Sequence, residues 1–196
     1  MNLYNAEISA GAIMLVETKR LAKLLLEQPT QEEWNHALVE ENILQKKTPS
    51  TAKRQAALIK KRLDTLTPVG LELITDGDNE VTSQMIFASC ILHSELLKDY
   101  LQHEYAGHLR RLDTHLNSNS WDAFWVECAK RDPSILAWSD LTKNKLFQVI
   151  LRILAQVKYI ESNKSKRITP PILHPQVVRY LKQNNPETLK VMEQRQ

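Results

Sequence analysis

Glycine is nearly absent from this sequence, and that constrains the fold more than any motif does. Four of 196 positions hold it, against about 7 % in ordinary proteins. Hairpin turns, sheet bulges and phosphate-cradling loops draw on glycine because it enters the left-handed backbone region without steric cost. A chain this poor in it reverses direction at helix ends instead, using Ser, Thr, Asp and Asn caps and Pro stops. The expectation is an all-α, compact multi-helix protein. Apolar residues at 42 % and charged ones at 25 % fit a globule with a buried core rather than a disordered chain.

Apolar periodicity lays out the helices. A first helix is expected over residues 9–27, with Ile13, Val16, Leu21, Leu24 and Leu25 supplying its apolar face and Pro29 preventing continuation. Thr30 followed by Glu33 has capping-box spacing and opens a second helix over residues 31–42. After a polar turn at residues 45–49, a third helix starts at Ser50 or Thr51. Its Ala52, Ala56, Ile59, Leu63 and Leu66 recur at alternating steps of four and three, which makes one narrow apolar stripe. Thr67–Pro68 starts a short fourth helix. Asp76-Gly77-Asp78-Asn79 is the clearest break, and divides a helical domain at 1–76 from a second at 79–196. Beyond it, helices are expected over residues 81–98 and 101–116, then around Trp121–Trp125, and from Ser139 or Asp140 to Val157. Residues 158–161 and 167–169 flank a basic loop or small hairpin. A short helix from His174 or Pro175 follows, and a polar tail begins at Pro186.

Charge is segregated along the chain. Residues 1–42 carry a net −4, residues 43–63 a net +7, residues 64–142 a net −8 and residues 143–196 a net +8, although the total is only +3. Two concentrated basic blocks separated by an acidic middle point to a polyanionic partner. Neither of the most apolar stretches, 10–26 and 146–157, is free of charges for the length a bilayer requires. Two cysteines, Cys90 and Cys128, are too few for a disulfide framework. With no basic-then-apolar leader in residues 1–9, a cytoplasmic protein is expected, with no membrane contact.

Catalytic and metal-binding patterns are weak. His103 and His108 stand five residues apart, so they diverge by about 140° on a helix, whereas a zinc-hydrolase helix needs a four-residue step. Cys90 and His93 have no second pair at metal-ligand spacing. No GxGxxG, GxxxxGK[ST] or GxSxG sequence occurs. No enzyme activity, cofactor or metal is therefore expected. Trp34, Trp121, Trp125 and Trp138 sit inside apolar patterns and are assigned to core packing.

The stronger constellation is helix two, polar turn, helix three, which has the order of a helix-turn-helix. Ser50, Thr51, Lys53, Arg54 and Gln55 would begin the inserted helix, with Lys46 and Lys47 in the turn and Lys60, Lys61 and Arg62 further along to meet phosphates. The turn is longer than the usual three or four residues. A second candidate surface has the order of a winged helix: a helix bearing Lys143, Lys145 and Arg152, then a basic tip carrying Lys164, Lys166 and Arg167.

Short blocks across most of the chain resemble a known family. They are Ala10-Gly11-Ala12-Ile13-Met14-Leu15 with Glu17, Ala22-Lys23-Leu24-Leu25, Trp34, Glu41-Asn42, Ser50-Thr51 with Arg54, and Lys61-Arg62-Leu63 with Leu66. Cys90, Asp99-Tyr100, Phe124-Trp125 and Thr142-Lys143-Asn144-Lys145-Leu146 follow in order. The pattern resembles BrxA, a small component of bacterial BREX phage-resistance systems. The resemblance implies an all-helical, non-enzymatic accessory protein that binds double-stranded DNA beside other BREX components. The family's fold is similar to a helical RNA-binding antitermination factor, which makes RNA a rival ligand. A protein-protein adaptor that scaffolds the defence complex is a further alternative. Over residues 99–111 the chain departs from the family pattern, so the resemblance assigns no function there.

Overall fold

The computed structural model describes residues 2–193. The helices are α1 (Leu15–Leu26), α2 (Gln31–Val39), α3 (Pro49–Leu63), α4 (Pro68–Asp76), α5 (Asn79–His93), α6 (Glu95–Asp99), α7 (Ala106–Arg110), α8 (Ser120–Arg131), α9 (Asp140–Gln156), α10 (Pro175–Asn184) and α11 (Pro186–Glu193). Two short 3-10 turns, Glu7–Ala10 and Pro133–Ala137, and a π-helical stretch, Tyr100–Tyr105, complete them. No strand occurs among the described residues, so the all-α expectation holds. Two isolated antiparallel bridges, His115 with Arg167 and Ile160 with Ile168, are the only β pairings there.

The core is organised around α5, which packs against α1, α3, α4, α6, α10 and α11. Residues Val81, Thr82 and 84–91 are all buried, so this helix is enclosed on nearly every side. Asp78 caps it, its carboxylate accepting from the Glu80 and Val81 amides at 2.9 Å each. The expected boundary at residues 76–79 is thus the turn between α4 and α5, and one apolar cluster runs from Tyr4 and Ile8 through to Met192. The α3 stripe is buried as read, Ala52, Ala56, Ile59 and Leu63 being almost inaccessible. Gly70 lies where Tyr180 crosses α4: a Cβ there would stand 2.6 Å from the phenol oxygen, which accepts from the Thr67 amide at 3.0 Å.

Several expectations are corrected. Helix one does not run from residue 9. Glu7–Ala10 is a 3-10 turn, and Met14 takes a left-handed conformation before α1 begins. Helix two ends at Val39, because Asn42 and Gln45 are left-handed in a structured connection. The break after α5 falls at Ser94, whose extended backbone and side-chain cap on Leu97 start a new helical run that ends at Arg110 rather than residue 116. The polar tail is instead α11, which buries Thr188, Leu189, Val191 and Met192 and receives the Tyr159 hydroxyl on the Met192 carbonyl at 2.5 Å. Residues 194–196 of that expected tail lie outside the described residues.

The N-terminal segment before α1 is fastened to remote parts of the chain. The Tyr4 amide donates to Asp132 at 3.0 Å, and the Tyr4 hydroxyl donates to Asp99 at 2.5 Å. Arg131 reaches the same Asp99 oxygen at 2.6 Å. The Ile13 amide donates to Gln156 of α9 at 3.1 Å. Through these contacts the Glu7–Ala10 turn packs against both α3 and α9, so the two helices that carry the basic blocks share one neighbour.

Candidate nucleic-acid interface

The first basic block is much less open than its sequence charge. Lys46 donates to Glu17 at 2.5 Å, and both side chains are mostly covered. Burial pushes the Glu17 carboxyl upward, but the Lys46 bond and backbone donors outweigh it, so the group stays below the usual carboxylate range. Lys60 pairs with Asp64 at 2.8 Å, and Lys61 with Glu7 at 2.5 Å. The Lys61 bond is the main cause that holds the Glu7 carboxyl below its ordinary value.

Arg62, expected on the basic surface, is 2 % exposed. Its guanidinium donates to the carbonyls of Ala12 at 2.5 Å and Gly11 at 2.8 Å. It is a clamp on the N-terminal segment and is corrected out of the candidate interface. Lys47, Lys53 and Arg54 remain: all three are exposed and make no ion pair among the described residues.

Helix α3 begins one residue earlier than expected, with Thr48 as N-cap and Pro49 in its first turn. The Thr48 hydroxyl accepts from the Thr51 amide at 3.2 Å and donates to the Thr51 hydroxyl at 2.9 Å. The Thr51 amide is therefore taken up by the cap and its hydroxyl keeps only its own proton to donate, whereas Ser50 is exposed beside it. Gln55 is half-buried, its Oε1 enclosed without a hydrogen-bond partner. The connection from α2 spans residues 40–48. Asn42 brackets Lys46 through both its amide donor and its carbonyl, and Arg20 of α1 holds the Ile43 carbonyl at 2.7 Å. α2 and α3 pack together, but the tight turn of a helix-turn-helix is replaced by this longer tethered loop.

The second basic block is divided in the same way. Lys143 pairs with Asp122 at 2.6 Å and lies 5.8 Å from the Trp125 ring centre. The hairpin-like segment is realised only as the Ile160–Ile168 bridge and neighbouring bonds, with residues 114–116 adding a third edge through the Ile168 and Leu116 amides. Lys166 bonds the Ser118 hydroxyl, and Arg167 stands 3.9 Å from Glu161. Lys164 is exposed at the tip. Lys145 and Arg152 face an open groove of about 580 Å³ between residues 9–11 and α9, with Leu141, Thr142, Asn144, Gln148 and Val149 completing its walls. Sequence reading placed Arg152 on this helix but did not join it to residues 9–11. The seven-residue spacing from Lys145 was the available signal.

The histidines and cysteines stay apart. His103 is exposed, while His108 is buried against Asp113 at 2.7 Å and receives the Asn117 amide on its other nitrogen at 3.4 Å. Cys90 and Cys128 are both buried free thiols, and burial pushes Cys128 up to about 11. No cluster of three metal-ligating side chains occurs among the described residues. No helix among them is long and apolar enough to cross a membrane.

Together these features define an all-α protein with one continuous core, in which the two predicted basic faces keep open cations at the start of α3, along α9 and at Lys164. Its relatives are specific. The chain belongs to the BrxA family, whose model matches residues 2–185. BREX protein BrxA of Paramagnetospirillum magneticum is 38 % identical over 182 residues, 93 % of this chain and 92 % of that protein. BREX protein BrxA of Escherichia coli O9:H4 is 31 % identical over 170 residues, 87 % of this chain and 80 % of that one. The crystal structure of an uncharacterized protein from Magnetospirillum magneticum superposes with a TM-score of 0.91 at 35 % identity, covering 98 % of this chain and 99 % of that one.

Proposed function

We propose that this protein is a non-enzymatic, cytoplasmic component of a BREX phage-defence system that binds double-stranded DNA mainly through its phosphates. The BREX role is supported by the name that the relatives share, and other BREX components are the protein partners this reading implies. One observation carries the DNA contact. Lys47, Lys53 and Arg54 stand open at the start of α3, beside exposed Ser50, while the neighbouring bases are paired internally or buried. Unpaired cations grouped at a helix start release counterions when they meet phosphates, and that term dominates duplex affinity. Phosphate contact carries no sequence information, so binding depends little on base composition.

The test is fluorescence anisotropy on duplex DNA across a salt series, with Lys53→Glu plus Arg54→Glu as the variant. Both side chains are exposed, so the fold is retained by circular dichroism. Affinity for duplex is expected to fall by about tenfold or more, with a shallower salt dependence. Equal binding by the folded variant would remove α3 from the interface. A structured RNA of the same length, run in parallel, discriminates the rival ligand.

A further inference from the structure

The groove between residues 9–11 and α9 has features that the α3 face lacks. Lys145 and Arg152 lie one heptad apart, on the same side of a helix that rises about 1.5 Å per residue. Asn144 and Gln148 share its lining, and each amide carries donors suited to phosphate oxygens. No carboxylate lines the groove, and neither Lys145 nor Arg152 makes an ion pair among the described residues. By contrast, Lys46, Lys60, Lys61, Lys130, Lys143 and Lys190 are each paired with a carboxylate.

The opposite wall is held in place. Arg62 draws the Gly11 and Ala12 carbonyls inward, and Gln156 fixes the Ile13 amide. The groove is open, its lining mixes polar and apolar groups about equally, and the two cations are spread along its α9 wall rather than converging. That shape suits a chain of phosphates better than a single small anion.

We infer that this groove is a second backbone track, in which Lys145 and Arg152 neutralise phosphates of duplex DNA and Asn144 and Gln148 donate hydrogen bonds to the same strand. It rests on the duplex-binding reading above and adds a site that does not depend on α3. The Glu7–Ala10 turn packs against α9 and against α3, meeting α3 through Lys61 near its C-terminal end, and a duplex that reaches both surfaces is held more firmly than by either alone.

The experiment uses the full chain and compares three variants for binding to the same duplex over a salt series. They are Lys145→Ala with Arg152→Ala, the conservative Lys145→Arg with Arg152→Lys, and a control, Arg179→Ala with Lys182→Ala, which removes equal charge from exposed positions on α10. The alanine pair in α9 is expected to weaken binding about tenfold and to lower the slope of log K against log salt by about 1.8, two contacts at about 0.9 each. The conservative pair and the α10 control should stay within about twofold of the unaltered protein. If the unaltered protein ignores duplex DNA, the underlying reading fails. If it binds and the α9 alanine pair binds equally well, the track alone is overturned while the α3 interface stands. An equal loss in the α10 control also overturns it, because net charge then explains the effect. Tighter, α9-dependent binding of structured RNA would refute the assignment to duplex DNA.

Discussion

Arg62 shows how far a single side chain can depart from its place on a helical wheel. Its neighbours Lys60 and Lys61 face outward, and the α3 stripe steps past it from Ile59 to Leu63. Periodicity therefore sets Arg62 at the edge of the buried face, where either side is open to it. The decision comes from carbonyls fifty residues away in the chain, those of Gly11 and Ala12, which accept from its guanidinium. No local pattern carries that information. The Arg62→Ala variant leaves two carbonyls unpaired and a void in the core, so it should lower stability by about 2–4 kcal/mol. In a urea titration followed by circular dichroism, a midpoint equal to that of the unaltered protein would sink this account. Thr51 carries a milder version of the same lesson: its amide donates to the Thr48 cap and its hydroxyl accepts from it, which leaves only the hydroxyl proton to donate outward.

At the level of elements, caps and stops were the most legible features. Pro29, Thr30 and Glu33 announce α2, and the reciprocal capping box is present, with the Thr30 amide donating to Glu33 at 2.7 Å and the Glu33 amide to Thr30 at 3.2 Å. Thr30→Ala removes one of those bonds and should cost about 1 kcal/mol. Amide hydrogen exchange checks this locally, since the Glu33 amide should lose protection while α5 keeps it; uniform loss across both helices would contradict a cap-specific role. Helix α11 was illegible for a clear reason. Glu187, Lys190 and Glu193 make its sequence look solvated, whereas its buried side is supplied by only four residues. The hairpin-like segment at residues 158–169 was partly legible. Its two edges pair, but the third contribution from residues 114–116 is non-local, and no turn motif announces it.

Across the whole molecule, segregated charge was visible in the sequence, but its availability was not. The +7 block keeps three open cations because carboxylates from the N-terminal segment, α1 and Asp64 at the end of α3 pair with Lys46, Lys60 and Lys61, and Arg62 is buried on backbone carbonyls. The same segment sets a pH dependence. His93 lies against Glu7 at 3.1 Å, with burial first and the nearby Arg62 charge second in holding its pKa below the ordinary 6.5. The folded protein thus keeps this ring neutral where the unfolded chain would take up a proton. Stability from this source is complete above pH 6.5 and is lost as the pH falls through the depressed folded value. The melting temperature should decline on acidification from about pH 7.5 to 5.5, and His93→Gln should flatten that decline; an equally steep profile in the variant would rule the ring out as its source. The fastening of the N-terminal segment also has a consequence for biosynthesis. Tyr4 and Ile13 wait for Asp132 and Gln156, and a ribosome adds only about 5–20 residues per second. For several seconds after it is made, this segment is therefore unanchored chain, and the α9 groove is incomplete. A nascent chain has no finished groove, and only after most of the polypeptide has left the ribosome does that surface come into being.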